Sequence, residues 1–198
     1  MRIIILSLLL LLSACSSTPP KPRVADPQIA WQEHQYHLAE LRDWSLSGRL
    51  AIQSGHEGWQ VSINWRQKRQ DYSILLIAPL GQGSLRLDGN ATAVTLQTDE
   101  GESVSDTDPG TLLYQQFGWR VPVKSLRYWV LGIPAPGKRE EEIDDYGRLT
   151  HLIQDGWEIR FLDYKKQEGQ ELPSRVFVNN HQAKVRLVIN NWELNTSL

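Results

Sequence analysis

Hydrophobic and polar positions change their period twice along this chain. Asp26-Pro27 supplies an N-cap and a first-turn proline, and Trp31, His34, Leu38 and Leu41 follow at spacings of 3, 4 and 3. That stripe predicts an amphipathic helix running through about Asp43. From Trp44 the period falls to two. Trp44, Leu46, Leu50 and Ile52 alternate with polar residues, as do Trp59, Val61, Ile63 and Trp65, which predicts one-sided strands. Further strands are expected at Tyr72 to Ala78, Leu85 to Asp88, Val94 to Thr98 and Glu102 to Ser105. Turn signals at Ser54-Gly55, Gln67 to Gln70, Gly81 to Gly83, Gly89-Asn90 and Glu100-Gly101 join them as an antiparallel meander.

Two helical pieces interrupt the series. Asp108-Pro109 caps one with Leu112, Leu113 and Phe117, and Pro122 opens another with Val123, Leu126, Trp129 and Val130 on one side and Gly132 at C′. Residues Ile133 to Tyr146, with two Pro and the run Glu140-Glu141-Glu142, read as a loop with a solvated charged face. Strands resume at Leu149 to Gln154, Trp157 to Leu162, Ser174 to Asn179 and Lys184 to Asn190 running on toward Trp192, with Lys165 to Glu171 as a polar loop. An antiparallel sheet with one apolar face must cover that face or close on itself. Three helices cannot tile it flat but can plug it if it is strongly curved. The expected fold is mainly β: an incomplete antiparallel β-barrel of about ten or eleven strands, covered by about three helices around an apolar cavity.

Ahead of this domain, residues 1–14 carry Arg2, an apolar run from Ile3 to Leu12 and small residues before a cut, the pattern of a secretory signal peptide. The run is shorter than the roughly 20 apolar residues a membrane span needs. Leu12-Ser13-Ala14-Cys15 resembles the lipobox of bacterial lipoproteins, in which the Cys thiol receives a diacylglycerol and becomes the mature N-terminus; an incidental Cys behind an ordinary leader is the alternative. Cys15 is the sole cysteine, so no disulfide framework is expected. Ser16 and Ser17 follow it where an Asp commonly retains lipoproteins in the inner membrane, which implies passage to the outer membrane. Residues 15–25 are then a lipidated N-terminus and Pro-rich tether reaching roughly 30 Å, and 26–198 a single domain.

Composition narrows the functions further. The formal charge of −2 excludes an electrostatic footprint for nucleic acid. Eight Trp suit either a core or the wall of a lipid pocket. Motifs for nucleotide binding, a nucleophile elbow and zinc are missing from the sequence, and the five His are scattered. Ser84, at a turn, is the sole and weak candidate nucleophile. Alternation nominates Trp59, Val61, Ile63, Trp65, Tyr72, Ile74 and Leu76, with Leu126 and Trp129 from a covering helix, as cavity wall; some are equally readable as plain core. Leu80 lies between Pro79 and Gly81, which bend the chain, so it sits at a loop tip, facing solvent or folded back under the loop.

The lipobox, the tether, Trp44-x4-Arg49, Asn64-Trp65-Arg66-Gln67, Pro79-Leu80-Gly81, Ser125-Leu126-Arg127-x-Trp129-x-Leu131-Gly132-x-Pro134 and Asn191-Trp192, in that order, resemble the LolB family of outer-membrane lipoproteins. The resemblance implies a monomeric, non-enzymatic receptor without a cofactor other than the covalent lipid on Cys15. Such a receptor accepts acylated lipoproteins from a soluble LolA-like periplasmic carrier and deposits them in the inner leaflet of the outer membrane, with Leu80 entering lipid at release. The competing reading is a structural or interaction envelope lipoprotein with a packed core and no acyl-binding cavity; an apolar cavity beneath the helices separates the two.

Overall fold

A computed structural model describes residues 23–194. Cys15, the leader and most of the tether lie outside the described residues. Eleven antiparallel strands form one open sheet in the order β6-β5-β4-β3-β2-β1-β11-β10-β9-β8-β7, with three helices packed against it. Its middle is built from the longest strands, β1 (Asp43–Ser54), β2 (Glu57–Lys68) and β11 (Ala183–Leu194), so the chain's first and last strands are neighbours. β3 (Asp71–Ile77), β4 (Ser84–Gly89), β5 (Val94–Thr98) and β6 (Ser103–Asp106) extend one wing. β10 (Gln170–Asn179), β9 (Trp157–Gln167), β8 (Leu149–Gln154) and β7 (Arg139–Ile143) extend the other.

Between Ser47 and Gly48 the β1–β11 register slips. A bulge there bends the sheet, and only glycine fits, because a Cβ on residue 48 would run into the Val188 carbonyl oxygen. On the inner face Trp44 packs against Trp65 and Trp192, with ring centroids 5.3 and 5.5 Å apart. The Trp192 indole N–H donates to the Pro173 carbonyl, 3.1 Å away, so the buried ring keeps its polar atom satisfied.

Four expectations from the sequence need correction. Helix α1 (Pro27–Ala39) ends before Asp43, because Asp43 is already paired with Lys68 in the sheet. Residues 133–146 are not all loop: Arg139–Ile143 form the edge strand β7, whose glutamates have low strand propensity but whose charge blunts an exposed edge. The polar stretch 165–171 is mostly the paired ends of β9 and β10, turning at Glu168-Gly169 with both φ angles positive, the conformation of a tight hairpin. Lastly, the third helix ends at Trp129, and Gly132 takes its positive φ in the turn beyond it.

α1 closes the β7–β8 end of the domain. Asp26 caps it through the Gln28 and Ile29 amides, and the Trp31 indole donates to Glu141 of β7 at 3.1 Å. Beneath it Arg148 forks onto Asp144 and lies over the rings of Tyr146 and Tyr164. His34 faces this cluster with its Nε2 buried and without a hydrogen-bond partner. Helices α2 (Pro109–Phe117) and α3 (Val123–Trp129) cover the middle of the inner face. α3 is fixed at its far end. The Gln154 side chain, 1% exposed, accepts from the Trp129 indole N–H and the Ala135 amide, and donates to the Ala135 carbonyl.

Removing that amide by Gln154→Leu leaves three buried polar groups unpaired at about 1–3 kcal/mol each. A fall in melting temperature of roughly 10 °C is expected; a loss of only a degree or two in a thermal melt would mean that Gln154 does not hold α3. Burial holds the His34 imidazole below its ordinary pKa, with Arg148 and His37 pushing the same way against Glu171 and Asp144. The native state therefore keeps His34 neutral while the unfolded chain takes up a proton below about pH 6.5. Its contribution is present above that pH and lost as the pH falls toward the native value, at up to about 1.4 kcal/mol per pH unit. His34→Leu should flatten this part of a stability-against-pH profile, and an unchanged slope would remove His34 as its source.

Candidate functional site: an apolar chamber and an exposed loop tip

The concave face of the sheet and the two cover helices enclose a chamber of about 60 Å³. Every side chain on its wall is aliphatic or indole. Strands β1 to β4 contribute residues such as Ile52, Ile63 and Leu87, β10 and β11 close the far side with Val176, Val178, Val185 and Leu187, and the cover adds Leu113, Val123 and Leu126. Trp65 presents its apolar ring to the chamber because its N–H donates to Gln67, 3.2 Å away, whose own amide is spent on the Arg69 and Asp71 carbonyls. The chamber is far below the roughly 300 Å³ at which ligand pockets begin. A guest enters only if the helices part from the sheet.

The cover is held by the means that permit this. Leu112 and Leu113 of α2 are buried, but its polar links are few and lie at the surface. Asp108 caps α2 through the Thr111 amide and pairs with Lys124 of α3 at 2.8 Å; the Lys124 ammonium holds the Asp108 carboxyl below the usual carboxylate range. Ser54 donates to the Gly118 carbonyl at 3.2 Å, and Arg127 reaches the Arg69 carbonyl at 3.4 Å. Exposed pairs of this kind contribute on the order of 0–1 kcal/mol.

Of the nine residues nominated from alternation, Ile63, Trp65, Ile74, Leu76 and Leu126 line the chamber. The other four stand elsewhere. Trp129 is fully buried beside Gln154 and packs as core. Trp59 is half-buried and stacks edge-on against Trp119, 5.1 Å away, so it backs the wall without facing the chamber. Val61, paired with Leu50 and two residues from Ile63, stays on the inner face but packs half-buried against the core beside the chamber. Tyr72 lies over Gly89, where a Cβ would strike its ring; its hydroxyl is buried without a partner, and desolvation, with a smaller push from Asp108, raises its pKa to about 12. Sequence reasoning missed the walls from β1, β10 and β11, although their alternation is as regular as that of β2. Trp119 and Val121 carry no such signal, since they sit in the aperiodic link between α2 and α3.

Pro79–Gly81 form a single 3₁₀ turn between β3 and β4, closed by the Ala78 amide on the Gly83 carbonyl and the Gln82 amide on the Pro79 carbonyl. Leu80 is 96% exposed. It also has φ 58° and ψ 20°, a left-handed conformation that a branched side chain adopts only at a cost on the order of 1 kcal/mol. A large apolar side chain held outward by a strained backbone gains nothing in water. Among the described residues no group of His, Cys, Asp or Glu is arranged to hold a metal ion, and no helix is long and apolar enough to cross a membrane.

The model of the family described as outer membrane lipoprotein LolB matches residues 42–192, from the first strand to the last. A protein named outer-membrane lipoprotein LolB from Nitrosococcus oceani is 44% identical over 196 residues, covering 98% of this chain and 97% of its own. Its namesake from Alkalilimnicola ehrlichii is 40% identical over 187 residues, covering 93% and 92%. The fold also resembles that of a LolA superfamily protein from Nitrosomonas europaea, with a TM-score of 0.55 at 9% identity over 90% of this chain and 96% of that one. A DUF1329 family protein from Desulfovibrio piger gives 0.57 at 10% identity, covering 87% and 95%. With a family match that spans the whole sheet and its cover, and relatives this similar from end to end, the chain belongs to the LolB family and is an outer-membrane lipoprotein.

Proposed function

We propose that this protein, a monomer anchored through a lipid on Cys15, accepts acylated lipoproteins from a soluble LolA-like periplasmic carrier. It then releases them into the inner leaflet of the outer membrane. In this reading residues 1–14 are a leader removed before Cys15 is acylated, residues 15–25 a tether, and the rest one lipoprotein-binding domain that needs no cofactor. The observation that carries the reading is the pairing of a wholly apolar chamber with a strained, outward Leu80 on one small domain. Acyl chains displace the α2–α3 cover and take its place against the sheet. Both are held by apolar burial, at about 25 cal/mol per Å², so one can take the place of the other without a new kind of contact. With no nucleotide motif in the sequence, direction comes from the destination: once Leu80 is in lipid, the chains pass into the bilayer, which holds them more tightly.

The small volume of the chamber favours a second reading, a packed interior that never opens, in a lipoprotein that binds partners at its surface. An alkyl-chain fluorophore separates the two. This protein, if its cover opens, should bind it at one saturable site from which an acylated peptide displaces it, with Trp emission changing in parallel; a packed core gives neither. Leu80→Glu tests the release half. Because Leu80 touches no core, the variant should melt with the wild type and load from the carrier normally. A carboxylate taken into lipid costs several kcal/mol, so transfer to liposomes should stall with cargo bound. Delivery at the wild-type rate would remove Leu80 from the mechanism.

A further inference from the structure

The convex face of the sheet, turned away from the chamber, is charged unevenly. Arg49 of β1 stands opposite Ser62 and Val188, Arg186 of β11 opposite Ala51 and Phe177, and Arg175 of β10 opposite Val188. Arg186 is therefore a diagonal neighbour of both Arg49 and Arg175, which flank Val188 from either side on the same surface. Arg175 is taken up by Asp163. Arg186 lies over the Phe177 ring, 5.5 Å from its centroid. Among the described residues neither Arg49 nor Arg186 has an ion-pair partner, although the whole chain is net acidic at −2. Two exposed like charges at this spacing repel each other, and an anion between them would remove that cost.

These arginines line a groove of about 570 Å³ whose wall also includes Val188, Phe177 and Pro79, and no acidic residue. Pro79 is the first residue of the loop that carries Leu80. The register sets the distance: Arg49 pairs with Ser62, and Ser62 with Ile77, the last residue of β3 before that loop. Arg49 thus lies two strands, about 10 Å, from the foot of the tip. An apolar side chain that enters the head-group and acyl boundary sinks by about 5–10 Å, which brings a basic groove at that separation level with lipid phosphates.

We propose that this groove is a phospholipid head-group site, in which Arg49 and Arg186 hold the phosphodiester of an anionic lipid while Leu80 occupies the acyl layer. The planar fork of a guanidinium matches phosphate oxygens two at a time, and the apolar floor of Val188 and Phe177 suits the glycerol and upper methylenes. The inference rests on the reading of Leu80 as a membrane tip. It adds that the tip docks in one orientation, with the convex face of β1 and β11 toward the lipid, and docks best on anionic membranes.

The test uses the full acylated protein carrying Gln82→Cys, labelled with an environment-sensitive fluorophore, since acylation leaves Cys15 without a free thiol. Docking is read as the blue shift on vesicles of phosphatidylcholine alone or with phosphatidylglycerol. Wild type should dock more on the anionic vesicles, and about 0.5 M salt should reduce that preference. Combined Arg49→Gln and Arg186→Gln should lower the docked fraction ratio there by on the order of tenfold and leave phosphatidylcholine docking unchanged. The Arg49→Lys and Arg186→Lys pair, which keeps charge and fold, should retain most of it. Equal docking of the glutamine pair and wild type on anionic vesicles would overturn the proposal, as would release by millimolar inorganic phosphate, which would mark a site for the free ion. Leu80→Glu should abolish docking on both vesicle types; if it does not, the tip reading fails, whereas a silent glutamine pair beside a defective Leu80→Glu rejects the head-group site alone.

Discussion

An antiparallel sheet that gathers its apolar residues on one face must keep that face from water, and eleven strands present more of it than helices of nine and seven residues can tile. The sheet meets this constraint by bending over the shortfall. At Gly48 the extra residue of the bulge and the missing Cβ let β1 and β11 approach and turn, so that walls as far apart in the sheet as β4 and β10 face one chamber. Curvature substitutes for helix. It also leaves a thin cover over the part of the core that a guest has to reach.

Stability is distributed accordingly. At the β7–β8 end, buried polar groups are tied by short hydrogen bonds: Gln154 to Trp129 and Ala135, Trp31 to Glu141, and Tyr164 to the Leu149 carbonyl. The Tyr164 hydroxyl is so desolvated that its pKa lies well above the ordinary value. Over the chamber the links are Asp108 to Lys124, Ser54 to Gly118 and Arg127 to Arg69, all at the surface. The proposed exchange of helices for acyl chains calls for a stiff frame and a loose cover, and the two are separated along the sheet. Regions that open for ligands come from the low-stability end of a structure.

Strand periods, caps and most hairpin turns were legible in the sequence because each is local; the β9–β10 turn, hidden in a polar stretch, was not. Alternation placed β1, β2 and β11, and Asp26 and Asp108 cap their helices as their position before Pro predicts. β7 was illegible: pairing with β8 holds Arg139 to Ile143 in a conformation that three successive glutamates would not choose alone. The chamber was half legible. Alternation reveals which face a side chain takes, and so brought Ile63, Trp65, Ile74 and Leu76 together correctly, but whether a face lines space or packs is decided by elements distant in the chain. Trp129 looked like wall and is core because Gln154, 25 residues on, claims its indole N–H. Leu80 was located by its flanking Pro and Gly, while its exposure and left-handed backbone are set by the turn that the Ala78–Gly83 and Gln82–Pro79 hydrogen bonds close.

The order of strands also bears on when this protein can fold. β1 is hydrogen-bonded on one side to β11, with Trp44 opposite Leu194, so the centre of the sheet joins residues separated by nearly the whole domain. Pairing of such high contact order is slow, because a long loop must close before any contact rewards it. Until β11 has emerged, β1 lacks half its ladder and the Trp44, Trp65 and Trp192 cluster lacks a member. An incomplete chain is therefore unable to lock its core. For an outer-membrane lipoprotein, whose place of work is remote from its site of synthesis, that topology keeps the chain pliable on the way and reserves cooperative folding for the arrival of β11.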